Sequence, residues 1–248
     1  MTAQLSRAGC VAAEEEAQEL LACAGGDEAL LSALAERRVA GEPLAWITGY
    51  APFGDLAVLV HPGVYVPRWQ SVELALRAAS LLPDDGTAID LCTGSGAIAA
   101  SLRAARPAAR IAATDTDARA VACARANGVE SFLGDLFDAV PAAMRGVTDV
   151  VVAVVPYVPS PALHLLPRDT LAFEDPSHYD GGPDGTDLLR RVVEGAPGFL
   201  RRGGALLLEV GGDQVELLGP VLEGLGYAAL ESWTDEDGDR RGLQAVYG

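Results

Sequence analysis

The chain has 248 residues, half of them apolar, and carries a formal net charge of −17 at pH 7. That length holds one sizeable α/β domain with a small appendage. So acidic a surface repels the phosphate backbone that Lys and Arg would have to neutralise, which argues against a nucleic-acid substrate.

In chain order, residues 10–24 and 27–40 predict two helices, with Asp27 as N-cap of the second and Gly41 as its terminator. Val11, Ala17, Leu20, Leu21 and Ala24 recur near helical spacing in the first. Two such short helices need the main domain or a partner to complete a core. Residues 44–66 change character: Gly, Pro, Trp and Phe punctuate β-type runs at 45–48, 56–60 and 64–66, which predict a hairpin. Residues 70–82 are helical again. From residue 86 the rhythm is strand–helix–strand, with strands at 87–91, 110–114, 129–132, 148–155, 205–210, 228–232 and 243–247. Helices fall at 96–106, 117–127, 186–200 and 212–224. This alternation implies a doubly wound α/β fold with a mostly parallel, seven-stranded sheet covered on both faces. The last two strands, joined by the acidic turn 235–239, suit an antiparallel edge hairpin. The resulting division is a helical segment at 1–43, a hairpin linker at 44–69 and the main domain at 70–248.

No run of about 18 uninterrupted apolar residues predicts a membrane-spanning helix. Met1 to Cys10 lacks the charged-then-apolar layout of a signal peptide, so the cytoplasm is the default location. Cys10, Cys23, Cys92 and Cys123 form no CxxC or Cys/His cluster, so neither a metal nor a disulfide framework is expected. Cys10, Cys23 and Cys123 read as small buried hydrophobes. Residues 156–185 are Pro-rich and aperiodic, and a loop that long in a compact domain is usually functional or mobile. Within it, Gly181-Gly182-Pro183-Asp184-Gly185 reads either as a hinge or as an ordinary turn before the next helix.

The strongest local signal runs from Ile89 to Ala99, through Asp90-Leu91-Cys92-Thr93-Gly94-Ser95-Gly96. It follows a strand and opens a helix, so Gly94 and Gly96 let a ligand approach backbone N–H groups closely. Alone it also satisfies a dinucleotide fingerprint. Asp90 tilts it away from NAD. A carboxylate at that strand end can accept from an ammonium such as that of S-adenosylmethionine (AdoMet). Asp115, followed by Thr116, ends the next strand and can accept from ribose hydroxyls, a feature that fits both cofactors. Asp135 and Leu136 follow the third strand and suit an adenine, the acid for the exocyclic amine and the leucine for the ring. Asp117 reads as a helix N-cap and Asp138 as a solvated acid. Three carboxylates at successive strand tips face one crevice.

The fourth strand ends in Val154-Val155-Pro156-Tyr157. With it go Glu36–Leu44, Thr48-Gly49, Val66-Pro67-Arg68, the Asp90–Ala97 run, Asp115, Phe173-Glu174, residues 180–185 and Gly203–Glu209. On these runs the chain resembles the HemK-type protein-glutamine N5-methyltransferases, over residues 8–248 and with a shortened front segment. The resemblance implies AdoMet as cofactor, with Asp90, Cys92, Thr93, Gly94, Gly96, Asp115, Thr116, Asp135, Leu136 and Val154 at its site. It also implies a release-factor glutamine as acceptor, with Val155, Pro156 and Tyr157 at the transfer site. In that family an Asn side chain and the carbonyl after it hold the acceptor amide. Here Val154 stands in the Asn position and can neither donate nor accept a hydrogen bond. The family's Thr-Glu after the arginine is Ser71-Val72-Glu73 here, so Glu73 either replaces that Glu or the position is lost. Tyr157, His164, Phe173 and Glu174, with His178 and Tyr179, are the substrate-side candidates. His164 and His178 read either as a general base or as solvated loop residues. His61 reads as a turn residue. Trp46, Phe53 and Trp69 read either as core or as an apolar wall at the cofactor mouth. Methylation of a small-molecule acceptor, a catalytically degraded AdoMet-binding partner protein and, most weakly, an NAD-dependent oxidoreductase are the competing functions.

Overall fold

The computed structural model describes residues 1–166 and 168–248, with the side chains of all of these except Arg168, Asp169 and Leu171. The front of the chain forms α1 (Thr2–Arg7), α2 (Ala13–Ala24), α3 (Glu28–Val39) and α4 (Leu44–Thr48). Asp27 caps α3 as expected, its carboxylate accepting from the N–H groups of Ala29 (2.9 Å) and Leu30 (3.0 Å). The helices bury Leu5, Ala17, Leu20 and Leu34 against Ile47 of α4, so the front segment has a small apolar cluster of its own. The helix at the very start, which the sequence reading did not anticipate, supplies Leu5 to it. Cys10 and Cys123 are buried as expected, but Cys23 is exposed. It lies off the Ala13, Ala17, Leu20 and Ala24 stripe that α2 buries.

Residues 45–48, expected as strand, are helical. Burial of Ala45, Trp46 and Ile47 overrides their β propensity, and Gly49 ends the turn in the left-handed region. The hairpin therefore starts later, as β1 (Tyr50–Phe53) paired antiparallel with β2 (Leu56–Leu59). The run at 64–66 joins no strand; Val64 instead packs on Ala120 and Cys123.

The remaining elements are α5 (Ser71–Leu81), β3 (Thr87–Leu91), α6 (Ala97–Ala105), β4 (Arg110–Asp115), α7 (Ala118–Ala126), β5 (Ser131–Leu133) and β6 (Thr148–Ala153). They continue as α8 (Arg168–Phe173), α9 (Asp187–Gly195), β7 (Leu200–Glu209), α10 (Gln214–Gly224), β8 (Tyr227–Thr234) and β9 (Arg240–Tyr247). Among the described residues the main sheet has seven strands in the order β5-β4-β3-β6-β7-β9-β8. The first five are parallel, and β9 runs antiparallel to both neighbours. Alternate residues feed opposite faces. Ile89, Val151 and Leu206 meet Leu189, Val192 and Leu218 of α9 and α10. Ala88, Val150, Val152 and Leu207 meet Leu74, Ala78, Ile98 and Leu102 of α5 and α6. Two-sided burial is why these strands read as unbroken apolar runs.

Strand order reverses between β3 and β6, the crevice where such sheets hold ligands beyond the strands' C-terminal ends. β6 stops two residues earlier than expected. Its pairing to both neighbours ends at Ala153, and Pro156 has no N–H to extend a ladder. The 156–185 segment is not structureless. It holds 3-10 turns at Ser160–Leu165 and Pro176–His178 as well as α8, while Pro167 lies outside the described residues. Val158 bridges to Asp180, and Gly181 N–H donates to the Val158 carbonyl at 2.9 Å. No helix among the described residues is long and apolar enough to cross a membrane.

Candidate functional site

A cavity of about 930 Å³ opens over the switch point. Its wall includes Asp90, Cys92, Thr93 and Gly94 from the end of β3, Asp115 and Thr116 after β4, and Asp135 and Leu136 after β5. Val154, Val155, Pro156 and Tyr157 form the side next to β6. The turn after β3 is built to expose backbone. Thr93 Oγ1 donates to Asp90 at 2.5 Å, Ala99 N–H donates to the same oxygen at 3.2 Å, and Gly94 N–H donates to Asp115 at 2.9 Å. Asp115 also accepts from Asp117 N–H at 2.9 Å. Asp117 caps α7, as expected, by accepting from Arg119 N–H. Gly96 is not on the cavity wall. At φ +82° a Cβ there would lie 2.9 Å from Ala124 Cβ and 3.0 Å from its Cα, so this glycine lets α6 lie against α7.

Two wall residues that are not glycine adopt left-handed backbone, Cys92 at φ +55° and Leu136 at φ +47°. Such conformations cost roughly 1–3 kcal/mol and collect at ligand sites. The Leu136 carbonyl is held by the buried Thr114 hydroxyl at 2.8 Å, which fixes that turn. Burial, reinforced by Asp115, Asp90 and Asp135, pushes the Cys92 thiol well up.

Asp90 is 2% exposed, and burial raises its carboxyl to about 7, opposed by the Thr93 and Ala99 hydrogen bonds. Burial also raises Asp115. Among the described residues neither is ion-paired with a cationic side chain. The wall arginines each have their own carboxylate: Arg68 with Glu174, Arg119 with Asp117 and Arg191 with Asp135. A buried carboxylate and a half-buried one, neither ion-paired among the described residues, fit a cationic ligand such as AdoMet and repel the diphosphate of a dinucleotide. The cavity is also of the size that small-molecule sites take. Asp135 and Arg191, 2.8 Å apart, are both about half exposed. Such a pair is worth no more than about 1 kcal/mol and can yield to an adenine amine.

Tyr157 is fixed at both ends. Its hydroxyl donates to Glu209 at 2.9 Å, and its carbonyl accepts from Gln214 Nε2 at 2.7 Å. Ser71 Oγ donates to the other Glu209 oxygen at 2.5 Å. Glu209, 3% exposed and raised by burial, is a further carboxylate at a parallel strand tip and lines the cavity. The sequence reading missed it, although the rule that found Asp90 and Asp115 applies equally to β7. The 181–185 glycines allow close approach: a Cβ on Gly185, at φ +79°, would run into the Tyr157 carbonyl.

The substrate-side candidates divide. Tyr157, His178 and Tyr179 line the cavity, whereas His164, Phe173 and Glu174 do not. His164 is exposed, with Nδ1 2.7 Å from the Pro161 carbonyl. Phe173 packs against the Trp46 cluster. Glu174 is buried and accepts from Arg68 (2.6 Å) and the Tyr179 hydroxyl (2.7 Å), tying the end of α8 to the chain before α5. Glu73 bonds Arg77 one turn along α5 and is not on the wall, so it does not take over the missing Glu position. Trp46 is core, its Nε1–H donating to Val64 O at 2.8 Å; Phe53 reaches the cavity wall, and Trp69 is 70% exposed. Gln70 also lines the cavity; its Oε1 and His178 Nδ1 are buried with no hydrogen-bond partner among the described residues. No cluster of three or more His, Cys, Asp or Glu residues able to hold a metal occurs among the described residues.

The family model of the methyltransferase small domain matches residues 55–144. A release factor glutamine methyltransferase of Moorella thermoacetica is 40% identical over 203 residues, spanning 77% of this chain and 70% of that protein. Another, from Bordetella pertussis, is 36% identical over 222 residues, 86% and 81% of the two chains. Among solved structures, a methyltransferase from Pyrococcus furiosus shares the fold, with a TM-score of 0.56 at 22% identity over 88% of this chain and 99% of that one. The carboxylates over the switch point and these relatives, of which the chain covers 70% and 81%, lead to one conclusion: the chain is an AdoMet-dependent methyltransferase and belongs to the release factor glutamine methyltransferase family.

Proposed function

We propose that the chain methylates the side-chain amide nitrogen of a protein glutamine, with a peptide-chain release factor as the acceptor protein. The observation that carries this reading is the placement of Val155-Pro156-Tyr157 and Asp90 on one cavity wall, with Tyr157 anchored through its hydroxyl by Glu209 and through its backbone carbonyl by Gln214. The relatives' names point to the same acceptor.

In this reading Asp90 would hold the ammonium of AdoMet, Asp115 its ribose and Asp135 with Leu136 its adenine. When bound, AdoMet supplies a methyl group activated by the sulfonium. The acceptor nitrogen gains that methyl and gives up one proton. What the chain contributes is position: an amide nitrogen is a weak nucleophile, and orientation alone can supply about 7–11 kcal/mol of a barrier. Pro156 and the Tyr157 ring wall the acceptor side, and the Val155 carbonyl supplies a backbone acceptor for an amide N–H. The Val154 side chain adds none, and one missing contact to a buried polar group costs about 1–3 kcal/mol.

Incubation with methyl-labelled AdoMet and a release factor bearing a Gly-Gly-Gln loop tests the proposal. Label on that glutamine is the expected result, with faster transfer by Val154→Asn. A factor left unlabelled by a chain that binds AdoMet normally would refute it.

A further inference from the structure

Methylating an amide nitrogen releases a proton at the cavity wall, where a carboxylate can take it up. Among the wall carboxylates Asp115 is held by two backbone N–H groups, Asp175 caps the Pro176–His178 turn by accepting from Ser177 N–H, and Asp117 and Asp135 are ion-paired. Asp90 sits on the β3 side, bonded to Thr93 and Ala99. Glu209 is the carboxylate joined directly to the residue at the transfer site, through the 2.9 Å bond from the Tyr157 hydroxyl.

We propose that Glu209 takes up the proton lost by the acceptor nitrogen, relayed through the Tyr157 hydroxyl. This rests on the amide-methylation reading above. The N–CH3 bond forms as the S–CH3 bond breaks, and the sulfonium becomes a neutral thioether. The nitrogen's proton passes to the Tyr157 oxygen while the Tyr157 proton passes to Glu209 Oε1, so the phenol ends neutral and the carboxylate ends as a carboxylic acid. Later exchange with solvent restores it.

The surroundings suit the task. Glu209 is 3% exposed, and its only close partners among the described residues are two hydroxyls, Ser71 from the start of α5 and Tyr157 from beyond β6. The charged and titratable groups that face it are Tyr65, ahead of α5, and Arg241 of β9. Arg241 bonds Asp235 at 2.6 Å and is not an ion-pair partner of Glu209. Burial raises the carboxyl above the ordinary glutamate value, which makes it a better proton acceptor than an exposed acid. Burial also raises the Tyr157 phenol, so the phenol stays protonated and passes protons instead of storing charge.

The test is single-turnover methylation of the release factor across pH by the full chain, its Glu209→Gln variant and its Tyr157→Phe variant, with AdoMet affinity measured alongside. With AdoMet saturating at every pH, so that the Asp90 effect on binding does not enter, the wild-type rate should rise with pH to a plateau through one ionisation. Glu209→Gln keeps the side chain's shape but cannot take the proton; its rate should fall about 100-fold or more and lose the pH dependence, with AdoMet affinity within about threefold. Tyr157→Phe breaks the relay while leaving Glu209 in place, and its profile should flatten too; it carries the test should the glutamine variant not fold. Retention of the wild-type pH profile by either folded variant overturns the proposal while leaving the amide-methylation reading intact. Failure of the wild type to label the factor at any pH removes that reading and this inference with it.

Discussion

Replacing Asp90 with Asn should weaken AdoMet binding and at the same time stabilise the ligand-free chain. A carboxyl raised from 3.8 to about 7 stays protonated in the folded chain over a range where the unfolded chain has already released its proton. The stability of the ligand-free protein therefore falls as pH rises between about 4 and 7, and the whole penalty is present above that window. The displacement corresponds to at most roughly 4 kcal/mol. Asparagine keeps the shape and an acceptor for the Thr93 and Ala99 donors while removing the charge. Recovery of about 1–3 kcal/mol at about pH 8 would raise the melting temperature by some 2–10 °C in a chain of this size. Binding should move the other way, because a charge-assisted hydrogen bond is worth about 1.5–3 kcal/mol, or about 10–150-fold in Kd. Differential scanning calorimetry of the ligand-free proteins and isothermal titration with AdoMet read the two effects separately. A variant that is less stable above neutrality and binds AdoMet as the parent does would refute the reasoning on both counts.

Further consequences follow from the same geometry. AdoMet affinity of the wild type should weaken by up to about tenfold between pH 8 and 6 as Asp90 takes up its proton, and isothermal titration at both values checks it. Gly185→Ala, forcing a Cβ against the Tyr157 carbonyl, should lower methyl transfer at least about tenfold while circular dichroism stays native; unchanged turnover would contradict the packing role of this glycine. Gly96→Ala should destabilise by about 1–3 kcal/mol in denaturant titrations, because both its φ and its contact with Ala124 oppose a side chain. Leu206→Ala, fully inside the sheet core, should cost about 2–5 kcal/mol by the same measurement.

The parts of this molecule that follow a period were legible in the sequence. The apolar strands from 87 onward, the Asp27 and Asp117 caps and the turn through Gly94 rest on local rules, and all appear in the structure. The 45–48 run was misread because Ala-Trp-Ile-Thr carries β-type residues whose helix exists only through burial of Ala45, Trp46 and Ile47. Asp90, Asp115 and Asp135 were found at strand tips, since a charge that ends an apolar run stands out. Glu209 has the same signature, ending the apolar run of β7, but it also closes the Gly203–Glu209 run shared with the family, which hides it. His164 follows from its place in a long loop and Phe173-Glu174 from a run shared with the family, and only tertiary packing sets all three off the cavity wall. The Ser71–Glu209–Tyr157 chain joins residues 138 and 52 positions apart, which no local pattern encodes.

A crystal structure of the chain soaked with S-adenosylhomocysteine bears most directly on the carboxylate cradle. The amino group should lie against Asp90, the ribose hydroxyls against Asp115, and the sulfur should face Pro156 and Tyr157. A nucleoside bound elsewhere, or one whose sulfur points away from residues 154–157, would contradict the assignment of this cavity.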